Sequence, residues 1–256
     1  MDAQEAVRYL RAGMTRYPNP RNEVEHAVEK IYETILENNG QYNAQFKAPK
    51  WPEQDPIQIR EIAASNLGAV DLWERSPIRL GDDLEEQAQR VLPRLFPNNP
   101  WVCAGDKCKF FTERLDQFLQ SAGGLEQIVP SPMTAKYGKT KDGKQSQHTL
   151  DATGERRFLV VEGDKIDKDI QAAILLKLAE KMPLALVVDS GGKSLHGWFY
   201  VEGQKEDKVL SFFRRACVLG ADRGLWTRSQ FARMPGGMRS NGNRQNILYW
   251  NPETIA

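Results

Sequence analysis

Three segments of this chain carry side chains that could act on phosphate groups. They are FLVVEGD (Phe158 to Asp164), DSGGKSLHGW (Asp189 to Trp198) and ADRGLWTRSQFARMPGGMR (Ala221 to Arg239). The first and third segments supply carboxylates, and the second and third supply cationic and hydroxyl groups. Carboxylates that gather metal ions, placed beside cations that hold phosphates, are what the transfer of a nucleotidyl group requires.

The acidic side chains have the types and positions expected of metal ligands. Glu162 and Asp164 are two positions apart at the end of a predicted strand, so both should project from one face. Two such carboxylates repel each other unless a cation lies between them, and Mg²⁺ or Mn²⁺ takes oxygen ligands of this kind. Asp222 follows a predicted helix and a glycine and could reach the same end of the sheet. Solvated acids at a strand end are the alternative for the pair.

Arginines dominate the third segment after its acid. Arg228, Arg233 and Arg239 lie around the backbone-permissive PGG. Guanidinium groups bind phosphates in a bidentate manner and stay charged near neutral pH. Arg233 and Arg239 are therefore candidate nucleotide contacts, and an exposed loop with scattered arginines is the alternative.

The glycine-rich turn of the second segment is a further candidate for phosphate contacts. SGGKS lacks the spacing of a Walker loop and lies between two strands, but its amides and Lys193 could still cradle phosphate oxygens. Ser194 and His196 are two apart at a strand start and should share a face. The sequence shows no acid to orient His196, which favours contacts to a triphosphate over nucleophilic catalysis. A structural role for His196 is the alternative.

The elements that must position these residues follow from the apolar pattern. From residue 158 onward, buried runs and amphipathic stretches alternate as strand, helix, strand, strand, helix, strand. This order predicts an α+β fold, with an antiparallel sheet carrying two helices on one face in a ferredoxin-like or RRM-like arrangement. Residues 1–100 are predicted to be a mostly helical N-terminal region, and residues 101–256 a separate core. A helix is expected at 22–38, and another is expected within residues 82–96, stopped by Pro93 and the FPNNP turn signal.

Composition restricts the partners and the setting of the chain. Its 256 residues are 40% hydrophobic and carry a net charge of +1, so any basic footprint for nucleic acid must be local. Residues 133–148 hold four lysines and one acid, which indicates either a solvated hairpin or loop or a basic loop that touches a nucleic-acid backbone.

Three cysteines favour reduced thiols and a cytoplasmic setting, and Cys103 with Cys108 supplies only half of a structural zinc site. No apolar run is long enough for a membrane span.

Taken together, the three segments resemble the motifs of the archaeo-eukaryotic primase superfamily, the primase-polymerases. In that family an acidic pair ends a strand, a Ser-x-His follows in a hairpin, and a lone Asp comes after the next helix. DRGLWTRSQFAR looks like the family pattern of an Asp, then an aromatic-Thr step, then an Arg. RMPGGMRSNGNRQ looks like the version found in phage-borne and plasmid-borne members. The likeness covers roughly residues 125 to 250. It departs from the family at Glu162, where many members have Asp, and no helicase motif follows.

The resemblance implies a template-dependent nucleotidyltransferase, acting as a DNA primase, a primer-extending polymerase or both, in phage, plasmid or mobile-element replication. It implies a two-ion site for Mg²⁺ or Mn²⁺ on Glu162, Asp164 and Asp222. It also implies that the nucleoside triphosphate is contacted by Lys193, Ser194, His196, Arg233 and Arg239. The expected partners are single-stranded DNA and a helicase, in trans or in a longer parent chain. The alternative is a non-catalytic nucleic-acid-binding module that retains the primase fold. A small-nucleotide phosphotransferase ranks last because no phosphate loop is present.

Overall fold

A computed structural model describes residues 51–106, 109–163 and 165–255. Its α-helices are α1 (Pro56–Ala63), α2 (Ala69–Glu74), α3 (Leu84–Leu95), α4 (Leu115–Leu119), α5 (Lys168–Ala179) and α6 (Glu206–Val218). Its longer strands are β1 (Trp101–Asp106), β2 (Lys109–Arg114), β6 (Phe158–Val161), β7 (Leu184–Asp189), β8 (Leu195–Tyr200) and β12 (Ile247–Trp250). Its two-residue strands are β3 (Gln127–Ile128), β4 (Gly138–Lys139), β5 (Gln145–Ser146), β9 (Ala232–Arg233), β10 (Gly237–Met238) and β11 (Arg244–Gln245).

The main sheet has four strands in the order β12-β7-β8-β6, and every neighbouring pair is antiparallel. Helix α5 connects β6 to β7, and β8 lies between these two strands. Helix α6 lies between β8 and β12 along the chain, and β7 lies between these two strands in the sheet. The chain therefore contains two interlocked split βαβ units, which confirms an α+β class with the predicted order of strands and helices.

Both helices of these units pack on one face of the main sheet. A Cβ at Gly197 would lie 2.4 Å from Leu175 of α5, and the Phe199 ring is 4.9 Å from that of Phe212 on α6. Residues 197 and 199 of β8 point to the same side because side chains alternate along a strand. The opposite side carries His196 and Trp198, so the polar residues of interest lie on the face away from α5 and α6.

A second sheet, in the order β2-β1-β3-β9, was not anticipated from the sequence. Strands β1 and β2 form a hairpin whose register runs from Trp101↔Arg114 to Asp106↔Lys109. Two further hairpins stand apart from the sheets, β4 with β5 and β10 with β11. The lysine-rich stretch is therefore a hairpin, as one of its two interpretations predicted.

Helices α1 to α3 share the hydrophobic core of the main sheet. Ile59, Leu72 and Leu92 belong to the same buried cluster as Phe158 and Trp198. The expected helix at 22–38 lies outside the described residues, and the division of the chain at residue 100 stays a prediction. None of the described helices is long and apolar enough to cross a membrane.

Helix α3 continues past Pro93 and ends at Leu95, directly before the FPNNP turn, so only the second of its two predicted stop signals ends it. The helix begins at the cap Asp83, whose Oδ1 accepts from the amides of Glu85 and Glu86, and it continues to Leu95. A proline removes one helical hydrogen bond and crowds the preceding turn. Pro93 cannot donate to the carbonyl of Gln89, so one helical bond is lost, but the amide of Phe96 still donates to the carbonyl of Leu92 at 2.8 Å.

Candidate active site

Glu162 follows the last residue of β6 and faces the start of β8. The pairing of Val161 with Gly197 places position 162 opposite His196. Ser194 Oγ donates to Glu162 Oε1 at 2.9 Å, and His196 Nε2 lies 3.2 Å from Glu162 Oε2. The Glu162 side chain is 14% exposed, so a carboxylate with two defined neighbours still reaches solvent.

His196 is buried, and its ring has an acidic neighbour that the sequence did not reveal. Its side chain is only 3% exposed, and Glu162 is the acid beside it. Neither ring nitrogen makes a hydrogen bond of good geometry among the described residues, so the contact with Glu162 is one of proximity. The sequence showed no acid to orient His196, and the structure corrects this because Glu162 lies beside the ring. Glu162 and His196 were both singled out, but strand pairing was needed to bring them together.

Asp222 lies next to Glu162. The amide of Asp222 donates to the carbonyl of Glu162 at 2.8 Å, although 60 positions separate the two residues. Asp222 Oδ1 accepts from the amide of Gly224 at 3.0 Å and caps a short 3₁₀ turn at Arg223–Trp226. Asp222 is exposed. Asp164, the remaining predicted metal ligand, lies outside the described residues.

The turn before Ser194 is held tightly by the β10–β11 hairpin. Gly191 has φ +65, and a Cβ there would lie 2.4 Å from the carbonyl oxygen of Arg244. Asn243 Nδ2 donates to the carbonyl of Gly191 at 2.6 Å. A Cβ at Gly192 would lie 2.6 Å from Nη1 of Arg239. Gly191 is therefore required for the close approach of the Arg244 backbone, and Gly192 lies beside the Arg239 guanidinium.

Gln171 of α5 fastens this turn to the loop after Glu162, and the sequence had not marked it. Its Nε2 donates to the carbonyls of Ile166 and Lys193 at 2.6 and 2.9 Å, and its Oε1 accepts from the amide of Leu195 at 2.8 Å. The residue is 4% exposed. A polar residue on a face that the helical pattern assigns to the core was the available signal. Lys193 is exposed, and its side chain points to no partner among the described residues.

Arg233 and Arg239 converge on a carboxylate that the sequence pattern did not single out. Glu126 has no exposed surface, and its Oε1 accepts from Arg233 Nη1 at 2.6 Å and lies 3.7 Å from Arg239 Nε. Burial by itself raises the pKa of Glu126, but the hydrogen bonds from Arg233 and from the amide of Ser240, with the charges of both arginines, outweigh it and lower the pKa. A single acid within the apolar run LEQIVP was the signal.

A second ion pair borders the glycine turn. Lys168 Nζ lies 2.8 Å from both oxygens of Asp189, and Asp189 Oδ1 also accepts from the amide of Gly191. This carboxylate at the end of β7 is therefore already engaged by a cation and an amide. It holds the turn in place.

The donor set suits a hard divalent cation. Glu162 and Asp222 supply carboxylate oxygens that solvent can reach, which are the ligands that Mg²⁺ and Mn²⁺ take. Over residues 51–106, 109–163 and 165–255, no group of three or more histidine, cysteine or acidic side chains is gathered closely enough to hold a metal. Cys103 is buried, which raises the pKa of its thiol to about 11. Cys108 lies outside the described residues.

Comparison of the chain with protein-family models, with curated proteins and with solved structures finds no match.

Proposed function

We propose that this chain is a template-dependent nucleotidyltransferase, acting as a DNA primase, a primer-extending polymerase or both. The observation that carries the proposal is the meeting of three separate segments at one end of the main sheet. Glu162 follows β6, Ser194 and His196 lie at the start of β8, and Asp222 follows α6. Ser194 and His196 contact the Glu162 side chain, and the Asp222 backbone amide bonds to the Glu162 carbonyl. A two-ion site needs carboxylates from separate segments brought together in this way, which supports the proposal.

The cofactor would be Mg²⁺ or Mn²⁺, held by Glu162, Asp222 and, as the resemblance predicts, Asp164. When bound, such ions lower the pKa of an attacking hydroxyl and stabilise charge on the α-phosphate as pyrophosphate leaves. Ser194 holds one oxygen of the Glu162 carboxylate by a hydrogen bond and His196 lies beside the other, so less of its orientation has to be established as the substrate binds. Preorganisation of this kind is the main contribution that a protein makes to phosphoryl-transfer chemistry.

Cationic groups on the other side of the turn would hold the triphosphate of the incoming nucleotide. Arg239 lies against Gly192, and Arg233 forms an ion pair with Glu126, which Arg239 also faces. Lys193 is exposed at the tip of the turn. Guanidinium and ammonium groups both bind phosphate oxygens, and backbone amides of a glycine turn add donors. The same set would also suit a non-catalytic module, so the acids decide between the two functions.

A ferredoxin-like core is the finer fold assignment that we propose. The two split βαβ units and the placement of α5 and α6 on one face support it. The edge position of β6 departs from that arrangement, in which the first strand is internal. A helicase, in trans or in a longer parent chain, is proposed as a partner on the resemblance alone.

The deciding experiment is nucleotide incorporation on single-stranded DNA with Mg²⁺ or Mn²⁺, with and without a primer. Asp222→Asn should reduce incorporation by at least about a hundredfold, because a ligand of the ions loses its charge. Affinity for single-stranded DNA should stay unchanged, since backbone binding depends on lysine and arginine contacts.

The matched control is Asp207→Asn, which removes an exposed carboxylate at the opposite end of α6. It should incorporate nucleotides at the wild-type rate. Normal incorporation by Asp222→Asn would refute the metal assignment. DNA binding without any incorporation by the wild-type chain would identify the protein as a binding module.

A further inference from the structure

The backbone around Glu126 is fixed from three sides. Its amide donates to the carbonyl of Gly105 at 3.2 Å, and its carbonyl accepts from the amide of Met234 at 3.2 Å and from Gln245 Nε2 at 3.1 Å. With no exposed surface, the side chain cannot turn toward water. Glu126 is therefore a rigid internal anion whose carboxylate position is set by three neighbouring segments.

Two arginines share this one buried carboxylate. Their side chains are 17% and 22% exposed for Arg233 and Arg239. Two guanidinium groups beside one carboxylate leave one positive charge that the cluster itself does not neutralise. An uncompensated positive charge that is mostly removed from solvent favours the binding of an anion.

Arg239 is held at both ends of its guanidinium group. Its Nε faces Glu126 at 3.7 Å, while its Nη1 lies over Gly192, where a Cβ would come within 2.6 Å. Because Gly192 belongs to the turn that leads to Ser194, the guanidinium connects the buried anion to the candidate active site. A side chain at position 192 would displace the guanidinium from this position.

We propose that Glu126 is a positioning residue that presents Arg233 and Arg239, as a preformed pair, to a polyphosphate bound beside the Gly191–Gly192 turn. The identity of that polyphosphate as the triphosphate of a nucleotide rests on the proposed function. The pairing itself does not, because inorganic tripolyphosphate offers the same oxygens. Without Glu126 the two guanidinium groups would repel each other and lose their common orientation.

The test is a calorimetric titration of the whole chain with inorganic tripolyphosphate, with and without Mg²⁺. Glu126→Gln keeps the shape of the side chain and removes its charge, and it should raise the dissociation constant by about tenfold or more. Gly192→Ala pushes on the other end of Arg239 and should also weaken binding severalfold. Gly81→Ala, at a position where a Cβ meets nothing within 4 Å, is its matched control and should bind as the wild type does.

In incorporation assays the KM for nucleotide should rise in Glu126→Gln by a similar factor, while affinity for single-stranded DNA stays constant. A merely structural role would lower the melting temperature and weaken both together. Unchanged or tighter tripolyphosphate binding by Glu126→Gln would overturn the inference, because Glu126 would then only screen the arginines. Absence of binding by the wild-type chain would overturn it as well.

If Glu126→Gln fails to fold, Gly192→Ala decides, and unchanged affinity in that variant refutes the inference. Tripolyphosphate binding that both variants lose, in a chain that incorporates no nucleotide, would uphold the positioning role. The same result would reject the proposed function, so the two failures are distinguishable.

Discussion

Among single residues, Glu162 shows how a charged group can be fixed without being buried. Ser194 supplies a hydrogen bond to one carboxylate oxygen and His196 lies beside the other, while solvent still reaches the group. A carboxylate free to rotate would have to lose that freedom each time a ligand arrived. The two neighbours on β8 therefore reduce the entropic cost of assembling a metal or substrate complex.

Removal of the Ser194 hydroxyl should have a measurable cost in stability. In Ser194→Ala the part-buried Glu162 carboxylate loses a donor at 2.9 Å, and the free energy of unfolding should fall by about 1 to 2 kcal/mol. Incorporation should fall as well, because Glu162 is held less firmly. Urea denaturation with the control Ser211→Ala, an exposed hydroxyl on α6, measures the first effect. Equal stability of the two variants would show that the bond contributes nothing.

Among the elements, the β4–β5 hairpin is the best candidate for contact with a nucleic-acid backbone. Lys141 and Lys144 are exposed on it, and Tyr137 at its base is 46% exposed. Lysines beside an exposed aromatic ring suit a single strand, since phosphates meet the charges and a base can stack on the ring. Gln147, just after the hairpin, accepts from the amide of Thr112 at 2.6 Å and anchors it to β2.

Reversal of two charges on this hairpin should weaken DNA binding in a salt-dependent way. In Lys141→Glu with Lys144→Glu, each lost phosphate contact should reduce the slope of log affinity against log salt by about 0.7. Fluorescence anisotropy with a labelled single strand at several salt concentrations measures this slope. The control pair Lys181→Glu with Lys208→Glu changes the same charge on the helical side and should leave the slope unaltered. A slope equal to the wild type would place the DNA contact elsewhere.

For the molecule as a whole, the prediction is one of thermal stabilisation. A ligand at a hundred times its dissociation constant adds about 2.7 kcal/mol to stability, which for a chain of this size raises Tm by several degrees, at roughly 2 to 4 °C per kcal/mol. Nucleoside triphosphate with Mn²⁺ should therefore raise Tm more than either does alone. Asp222→Asn should lose this increment. An identical response in wild type and Asp222→Asn would argue against a metal role for Asp222.

Strands buried on both faces were predictable because an unbroken apolar run is stable only where both sides of the strand are removed from water. The runs at 158–161 and 184–188 have this character. Helix α6 follows from its amphipathic spacing, whereas α5 is buried on most sides. The β1–β2 hairpin was not predictable, since its two strands mix polar and apolar residues without clean alternation. Glu126 escaped notice for a related reason, because its meaning depends on arginines more than a hundred positions away.

The same distinction applies to the candidate site. Residue types and spacing were enough to single out Glu162, His196 and Asp222, but not the contacts among them. Those depend on which strands pair and in what register, a property of the whole fold. Asp164 stays a prediction from sequence.

The amide of Gln171 also has a consequence for motion. Its three hydrogen bonds join the loop after Glu162 to the turn before Ser194, so neither segment can open without breaking bonds to the other. Local openings in proteins occur in cooperative units, and these two segments should behave as one such unit, with a single opening rate. Any rearrangement that admits a substrate at one motif would then be transmitted to the other at the same moment.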